Sequence, residues 1–429
     1  MMRPVPGPTL TLLSGGNGVA LSAARPGPDL AAAGWAEEEY AARGTARSVD
    51  STHASAGFTT RVVVRRPAGA PASGTLVVEW LNVSSGADAA PDWTYLADEL
   101  VRQGHAWAGV SAQYNGVESG TASVAVEGAA LQGLKAVDPA RYGGLDHPGD
   151  AYAYGIFTEV ARAVAGLTGA ERVLAIGQSQ SAYLLTTYLN HVHPLERFFD
   201  GFLVHSRGDV AAPLGEPGRG IDLLAARAAG EPTPVRDDLD VPVIVLEAEG
   251  DLLGRINYLP ARQPDGPLLR VWEVAGAAHA DLFQIGEFEA FLGCPDPVNR
   301  GQHAYVARAA LRHLETWARG GPAAPAAPPL EVVDGAFVRD GLGIVRGGIR
   351  TPVVDAPADV VSGDAGPGAS VICGLFGRTL PLPAGLAERL WPTHEAYVTA
   401  YADAADAAIA AGFVLPEDRD AVLAEARRS

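Results

Sequence analysis

Apolar runs of strand length punctuate the first two-thirds of the chain. They read TTRVVVRR (59–66), GTLVVEWLNV (74–83), HAWAGVSAQ (105–113), ERVLAIG (171–177), FFDGFLVHS (198–206), VPVIVLEAE (241–249) and LLRVWEVAG (268–276). Nearly continuous apolar runs of this length suit strands covered on both faces. Between them the period changes to that of a helix. PDWTYLADELVRQG (91–104) sets Trp93, Leu96 and Leu100 on one face and stops at Gly104. AYAYGIFTEVARAVAGL (151–167), SAYLLTTYLNHV (181–192) and HAYVARAALRHLETWARG (303–320) are further helices. Strands alternating with helices over about 250 residues predict an α/β fold, a mostly parallel sheet with helices on both faces.

The remaining segments are less regular. Ahead of residue 58, GWAEEEYAARGTA (34–46) reads as an acidic helical turn leading into an extended segment. Two glycine-rich or mixed stretches, about 114–150 and 207–240, read as insertions over the active face. GGPAAPAAPPL (320–330) is a Pro/Ala linker, followed by a glycine-rich β-like segment and then by helices from about Gly385. The expected organisation is one α/β domain over 1–330, with 331–429 as a C-terminal extension packed on it.

Composition narrows the partners. At 429 residues and 48% hydrophobic, the chain can bury a sizeable core. No run approaches the ~18 apolar residues of a membrane span. The start carries Arg3 but is broken by prolines, a poor signal peptide, so a cytoplasmic location is expected. A net charge of −18 repels a nucleic-acid backbone. Cys294 and Cys373 make either one bridge or two thiols, and for a cytosolic chain reduced thiols are expected.

The candidate chemistry centres on LAIGQSQSA (174–182). An apolar strand runs into Gly177, and a helix begins straight after Ser179, the context of a nucleophile elbow. The pentad Gly-Gln-Ser-Gln-Ser departs from G-x-S-x-G at Ser181, and a helix-capping serine is the alternative. Partners in the order this chemistry needs follow in the chain. Glu249 and Asp251 lie just past one apolar strand, and His279 just past the next. Ser179, Asp251 and His279 are therefore the expected triad, with Glu249 as the competing acid. The backbone N–H of Gln180 and one from the WLNVSSG loop, at Asn82 or Val83, are the expected oxyanion donors. His205 and Arg207 in HSRGD are candidate substrate contacts, together with Val83.

Other signals are weaker. His191 and His193 lack the partners of a zinc site, and SGGNG (14–18) lacks a P-loop lysine. Trp80, Trp93, Tyr95, Trp107 and Tyr114 read mostly as core, with one or two at a pocket.

GWAEEEYAARGTA, VVEWLNVSSGADAAPDWTYLADEL, DPARYGGLDHPGDAYAYGIF, IGQSQSAYLLTTYLN, ARQPDGPLLRVWEVAGAAHADLF and GGIRTPVVDAPADVVSG together resemble the bacterial alpha/beta hydrolase domain proteins, which are serine-esterase-like. The likeness runs from about residue 34 into the C-terminal region. It implies an α/β-hydrolase fold, a nucleophile at Ser179, a histidine at His279, and a tail after 330 that belongs to the same unit. The resulting expectation is a serine hydrolase of a small-molecule carboxylic ester, working through an acyl-enzyme without metal or organic cofactor. A lactonase or acyltransferase with the same triad, or an inactive binding protein of this fold, are the alternatives.

Overall fold

The computed structural model describes residues 7–21, 25, 27–50, 53–69, 73–124, 132–383 and 385–426. Residues 1–6 of the N-terminal stretch, 125–131 of the first expected insertion and 427–429 of the tail lie outside them. Two compact units are present: Met1–Val204 with Val210–Val241, and His205–Asp209 with Pro242–Ser429.

The first unit holds strands β1 (Thr9–Leu12), β2 (Trp35–Ala46), β3 (Ala56–Pro67), β4 (Thr75–Trp80), β5 (Ala106–Val110), β6 (Arg172–Gln178) and β7 (Gly201–His205). Their order is β1-β2-β3-β5-β4-β6-β7. The pairs β4/β5 and β4/β6 are parallel, whereas β1/β2, β2/β3 and β3/β5 are antiparallel. Residues 35–46 form a twelve-residue strand, so the expected helical turn at the start of this segment is corrected to strand, while its later part is extended as expected. Cross-strand charge overrides local propensity here. Glu37 faces Arg65 and pairs with it at 2.7 Å, and Glu38 pairs with Arg66 at 2.7 Å.

Helices α1 (Pro91–Gln103), α2 (Ala153–Thr168), α3 (Gln180–Thr187) and α4 (Leu223–Ala229) belong to the same unit. Gly104 closes α1 in the left-handed conformation at φ 66°, as its place after the last periodic residue predicts. The start of α1 is tied to the sheet by an acid inside an otherwise apolar strand. Glu79 of β4 accepts the N–H groups of Asp92 and Trp93 at 3.0 and 2.9 Å, and the Trp107 indole at 3.0 Å. Trp80, Trp93, Tyr95 and Trp107 are core residues, whereas Tyr114 is half-buried.

In the second unit β8 (Val243–Ala248) and β9 (Leu269–Val274) pair in parallel. Helix α5 (His303–Ala318) carries the tail. Helices α6 (His394–Ala410) and α7 (Arg419–Ala424) bury Tyr397, Tyr401 and Val422 against Tyr305 of α5. Arg308 of α5 pairs with Asp418 at 3.1 Å. The glycine-rich segment joins the sheet edge, where Ile349 bridges Val274 and its N–H donates to the Glu273 carbonyl at 2.7 Å. The boundary expected near 330 therefore does not divide the compact units. The Pro/Ala stretch is itself pinned: the Trp272 indole donates to the Pro325 carbonyl, and the Arg270 guanidinium to that of Ala324.

Cys294 and Cys373 form a disulfide with their Cα atoms 5.6 Å apart, correcting the expectation of reduced thiols. Sequence could not pair them because the tail folds back: Ala280 N–H donates to the Leu375 carbonyl and Asn299 N–H to that of Phe376. Among the described residues no helix is long and apolar enough to cross a membrane.

Candidate active site

The elbow is built at the end of β6. Ser179 stands between β6 and α3 with φ 60° and ψ −120°, a conformation side chains rarely adopt. Its hydroxyl makes no capping hydrogen bond to α3. Small residues at the ends of the pentad have a steric cause. A Cβ at Gly177 would sit 2.9 Å from the Ser181 Cβ and 3.1 Å from a Leu185 methyl, so strand and helix touch there.

Gln180, the first residue of α3, has a backbone N–H that no helical turn uses. Asn82 and Val83, the two residues expected to offer the second donor, differ in where their N–H groups are engaged. The Asn82 N–H is spent on the Ala89 carbonyl at 2.9 Å, in a bridge that closes the 82–89 loop. Its side chain fastens that loop to the elbow, Nδ2 donating to the Gln178 carbonyl at 3.0 Å. Val83 is the residue whose N–H is directed to the elbow, and the Gln180 side-chain oxygen accepts it at 3.1 Å. A fully buried guanidinium fixes the loop from below. Arg61 donates to Asp88 at 2.7 Å, and the Ser111 hydroxyl donates to the same Asp88 oxygen.

In the second unit Asp251 sits in a short helical turn, Glu249–Leu252, directly after β8. Its Oδ1 lies 2.5 Å from Nδ1 of His279. Its Oδ2 accepts the Ser206 hydroxyl and the Ala248 N–H, each at 2.7 Å. Burial pushes the Asp251 carboxyl up, but His279, Ser206 and Ala248 outweigh it and hold the group below the ordinary aspartate value. Glu249 is engaged elsewhere. It accepts from Arg339 at 2.9 Å, Ser362 at 3.0 Å and the Gly276 N–H at 3.0 Å, and burial raises its pKa despite these donors.

His205 and Arg207, expected to reach substrate, are both fully buried. His205 Nε2 lies 2.9 Å from Nε2 of His303, and burial depresses both imidazoles to about 3, so this pair is neutral. Arg207 lies over the Tyr258 ring, its N–H donating to Glu247. Ser206, between them, was not singled out by the sequence. A serine in a strand end carries no motif, and only its φ of 54° and its bond to Asp251 mark it.

The weaker signals resolve locally. The glycine-rich 14–18 stretch cradles an anion of its own chain, the N–H groups of Asn17 and Gly18 donating to Asp138 at 2.7 and 2.9 Å. His193 pairs with Asp240 at 2.9 Å. Among the described residues no group of three or more His, Cys, Asp or Glu side chains is placed to hold a metal ion.

A family model described as "Alpha/beta hydrolase domain" matches residues 4–424, nearly the whole chain, and the fold is that of the α/β hydrolases. None of the curated proteins matches the sequence. Several solved structures are similar at low identity. A cold-adapted esterase from an Arctic intertidal metagenomic library is 13% identical, over 55% of this chain and 84% of its own, with a TM-score of 0.34. Est1E from Butyrivibrio proteoclasticus is 10% identical, over 55% and 90%, with a TM-score of 0.32. A serine hydrolase without lid from Xanthomonas campestris is 13% identical, over 54% and 84%, with a TM-score of 0.29.

Proposed function

The chain belongs to the alpha/beta hydrolase domain family, and on that premise we propose that it is a serine hydrolase of carboxylic esters. Ser179 is the nucleophile, His279 the general base and acid, and Asp251 the carboxylate that orients the imidazole. The observation that carries this reading is the backbone of Ser179, held at φ 60° between a strand and a helix without serving as a cap. Such strain is retained where a side chain must be thrust out of a turn.

In this reading Oγ of Ser179 attacks the ester carbonyl carbon while Nε2 of His279 takes its proton. The carbonyl electron pair moves onto oxygen, where the N–H groups of Gln180 and Val83 receive it. The Gln180 carboxamide, which holds the Val83 N–H at rest, yields that place to the substrate. Such a donor contributes ~2.7–4 kcal/mol to the transition state. Collapse expels the alcohol, which takes the proton from His279, and water repeats the sequence on the acyl-enzyme. Asp251 on Nδ1 keeps Nε2 as the basic nitrogen and stabilises the imidazolium.

The test is labelling of the intact protein with a fluorophosphonate probe, followed by peptide mapping, alongside p-nitrophenyl acetate hydrolysis. Label on Ser179, and loss of both label and hydrolysis in Ser179→Ala, are expected. Label on another residue, or more than a few per cent of activity in the variant, overturns the reading.

A further inference from the structure

A cavity of about 320 Å³ in the first unit is lined by Gln180, Tyr114, Asn115, Thr121, Arg219 and Asp222, among others. Two attachments place it beside the elbow. Gln180 directly follows Ser179, and the wall residue Ser123, with Val124 after it, donates its N–H to the Ser84 carbonyl, next to Val83, each at 2.9 Å. Its two lining loops are clamped by one fully buried acid. Asp150 accepts the Tyr114 N–H on one oxygen and the Ile221 N–H on the other, each at 2.7 Å. The Asn115 carboxamide lies against Gly120 and Gly220 where any side chain would collide with it, so both loops close onto that amide.

The cavity's lining is mixed: Ile221, Leu223 and Leu224 stand beside Asn115, Thr121, Asp222 and Gln180. Arg219 and Asp222 bring one charge of each kind, and Arg219 is already paired with Glu216 at 2.5 Å. A phosphate or carboxylate would meet one exposed, already partnered cation and the Asp222 carboxylate beside it. An alkyl chain would strip water from Asn115, Thr121, Asp222 and Gln180 and return no hydrogen bond. A sugar ring suits both halves of the lining, its hydroxyl groups donating to and accepting from the polar side chains and its C–H face covering Ile221 and Leu223.

We propose that this cavity binds a neutral, polyhydroxylated group of sugar size carried by the ester, which makes it the specificity site of the enzyme. The proposal rests on the serine-hydrolase reading above for its link to turnover, though not for binding.

Two ester pairs and one binding measurement test it on the intact protein. The first pair is methyl glucoside acetylated at its primary hydroxyl against cyclohexylmethyl acetate. The second is the methyl ester of methyl glucuronoside against methyl cyclohexanecarboxylate. In at least one pair kcat/KM is expected to favour the hydroxylated ester about tenfold or more. Thr121→Trp, at an exposed position on the rim, is expected to collapse that ratio, and Thr121→Val to lower it part-way. Saturation-transfer NMR with methyl glucoside should show binding to the wild-type protein and none to Thr121→Trp. A preference for the cyclohexyl ester in both pairs, or a ratio unmoved by Thr121→Trp, overturns the proposal. If Ser179 takes no fluorophosphonate, the hydrolase reading has failed, and the NMR measurement alone decides the cavity: no signal, or a signal equal in both proteins, overturns it.

Discussion

The Glu249 carboxylate is held by Arg339, whose guanidinium donates to it at 2.9 Å from ninety positions further along the chain. The acid nearer the end of β8 is thereby committed to the C-terminal extension, and the acid two residues later is bonded to His279.

Substituting each acid separately should divide their roles. Asp251→Asn is expected to lower kcat by about four orders of magnitude, because the imidazole takes the wrong tautomer, and to lower Tm as well, because the carboxylate that accepts from His279, Ser206 and Ala248 is lost. Glu249→Gln should keep most of kcat and lose about 1.5–3 kcal/mol of stability through its weakened bond to Arg339. Steady-state kinetics and urea melts of the two variants are the measurements. A large kcat loss confined to Glu249→Gln would reverse the assignment.

Ser179→Gly should be more stable than the wild type. Glycine adopts φ 60°, ψ −120° without the penalty that a Cβ incurs, about 1–3 kcal/mol. Activity is expected to vanish in the same variant. Ser179→Ala keeps the Cβ and should melt with the wild type, so the comparison of the two separates backbone strain from loss of the hydroxyl. Equal melting of Gly and Ala variants would contradict the strain.

Asp92 at the start of α1 is fully buried beside Glu79, and burial pushes its carboxyl up to about 8. The folded state then keeps a proton that the unfolded chain has released. The stability involved is fully present below about pH 4 and is lost as pH rises toward about 8. Asp92→Asn removes this titration, so its Tm should decline less than the wild-type Tm between those limits. Thermal melts across that range check it, and a steeper decline in the variant would contradict the sign.

The Cys294–Cys373 bridge closes a loop of 79 positions, so its loss should cost about 2–4 kcal/mol. Peptide mapping without reductant is expected to recover the two cysteine peptides cross-linked. Because the Leu375 carbonyl braces Ala280, next to His279, reduction should also increase amide exchange around residue 280. Cys294→Ser with unchanged stability would show that the bridge contributes little.

Much of the fold was legible because the buried strands are short runs apolar on both faces, bounded by turn residues and rich in β-branched side chains, as strands of a covered sheet are. β3 to β9 and helices α1, α2, α3 and α5 follow from that pattern, and Gly177–Gln178–Ser179 marks its own strand-to-helix turn. The start of segment 34–46 was not legible, because its glutamates favour a helix locally and are held in a strand by Arg65 and Arg66 of β3 and by burial of Trp35 and Tyr40.

The strand-to-helix turn at Ser179 could be read along the chain, since a glycine, a serine and the start of a helix are neighbours and their geometry is local. So could the order in which a carboxylate and a histidine follow two strands. Folding was needed to show which of two carboxylates meets His279, that the Val83 N–H rather than that of Asn82 is directed to Gln180, and that His205 and Arg207 are buried. These depend on Arg339, Ala89 and His303, partners brought close by the fold. Polar groups in a low-dielectric interior are claimed by whichever partner packing delivers, and packing is not written in the spacing of neighbours.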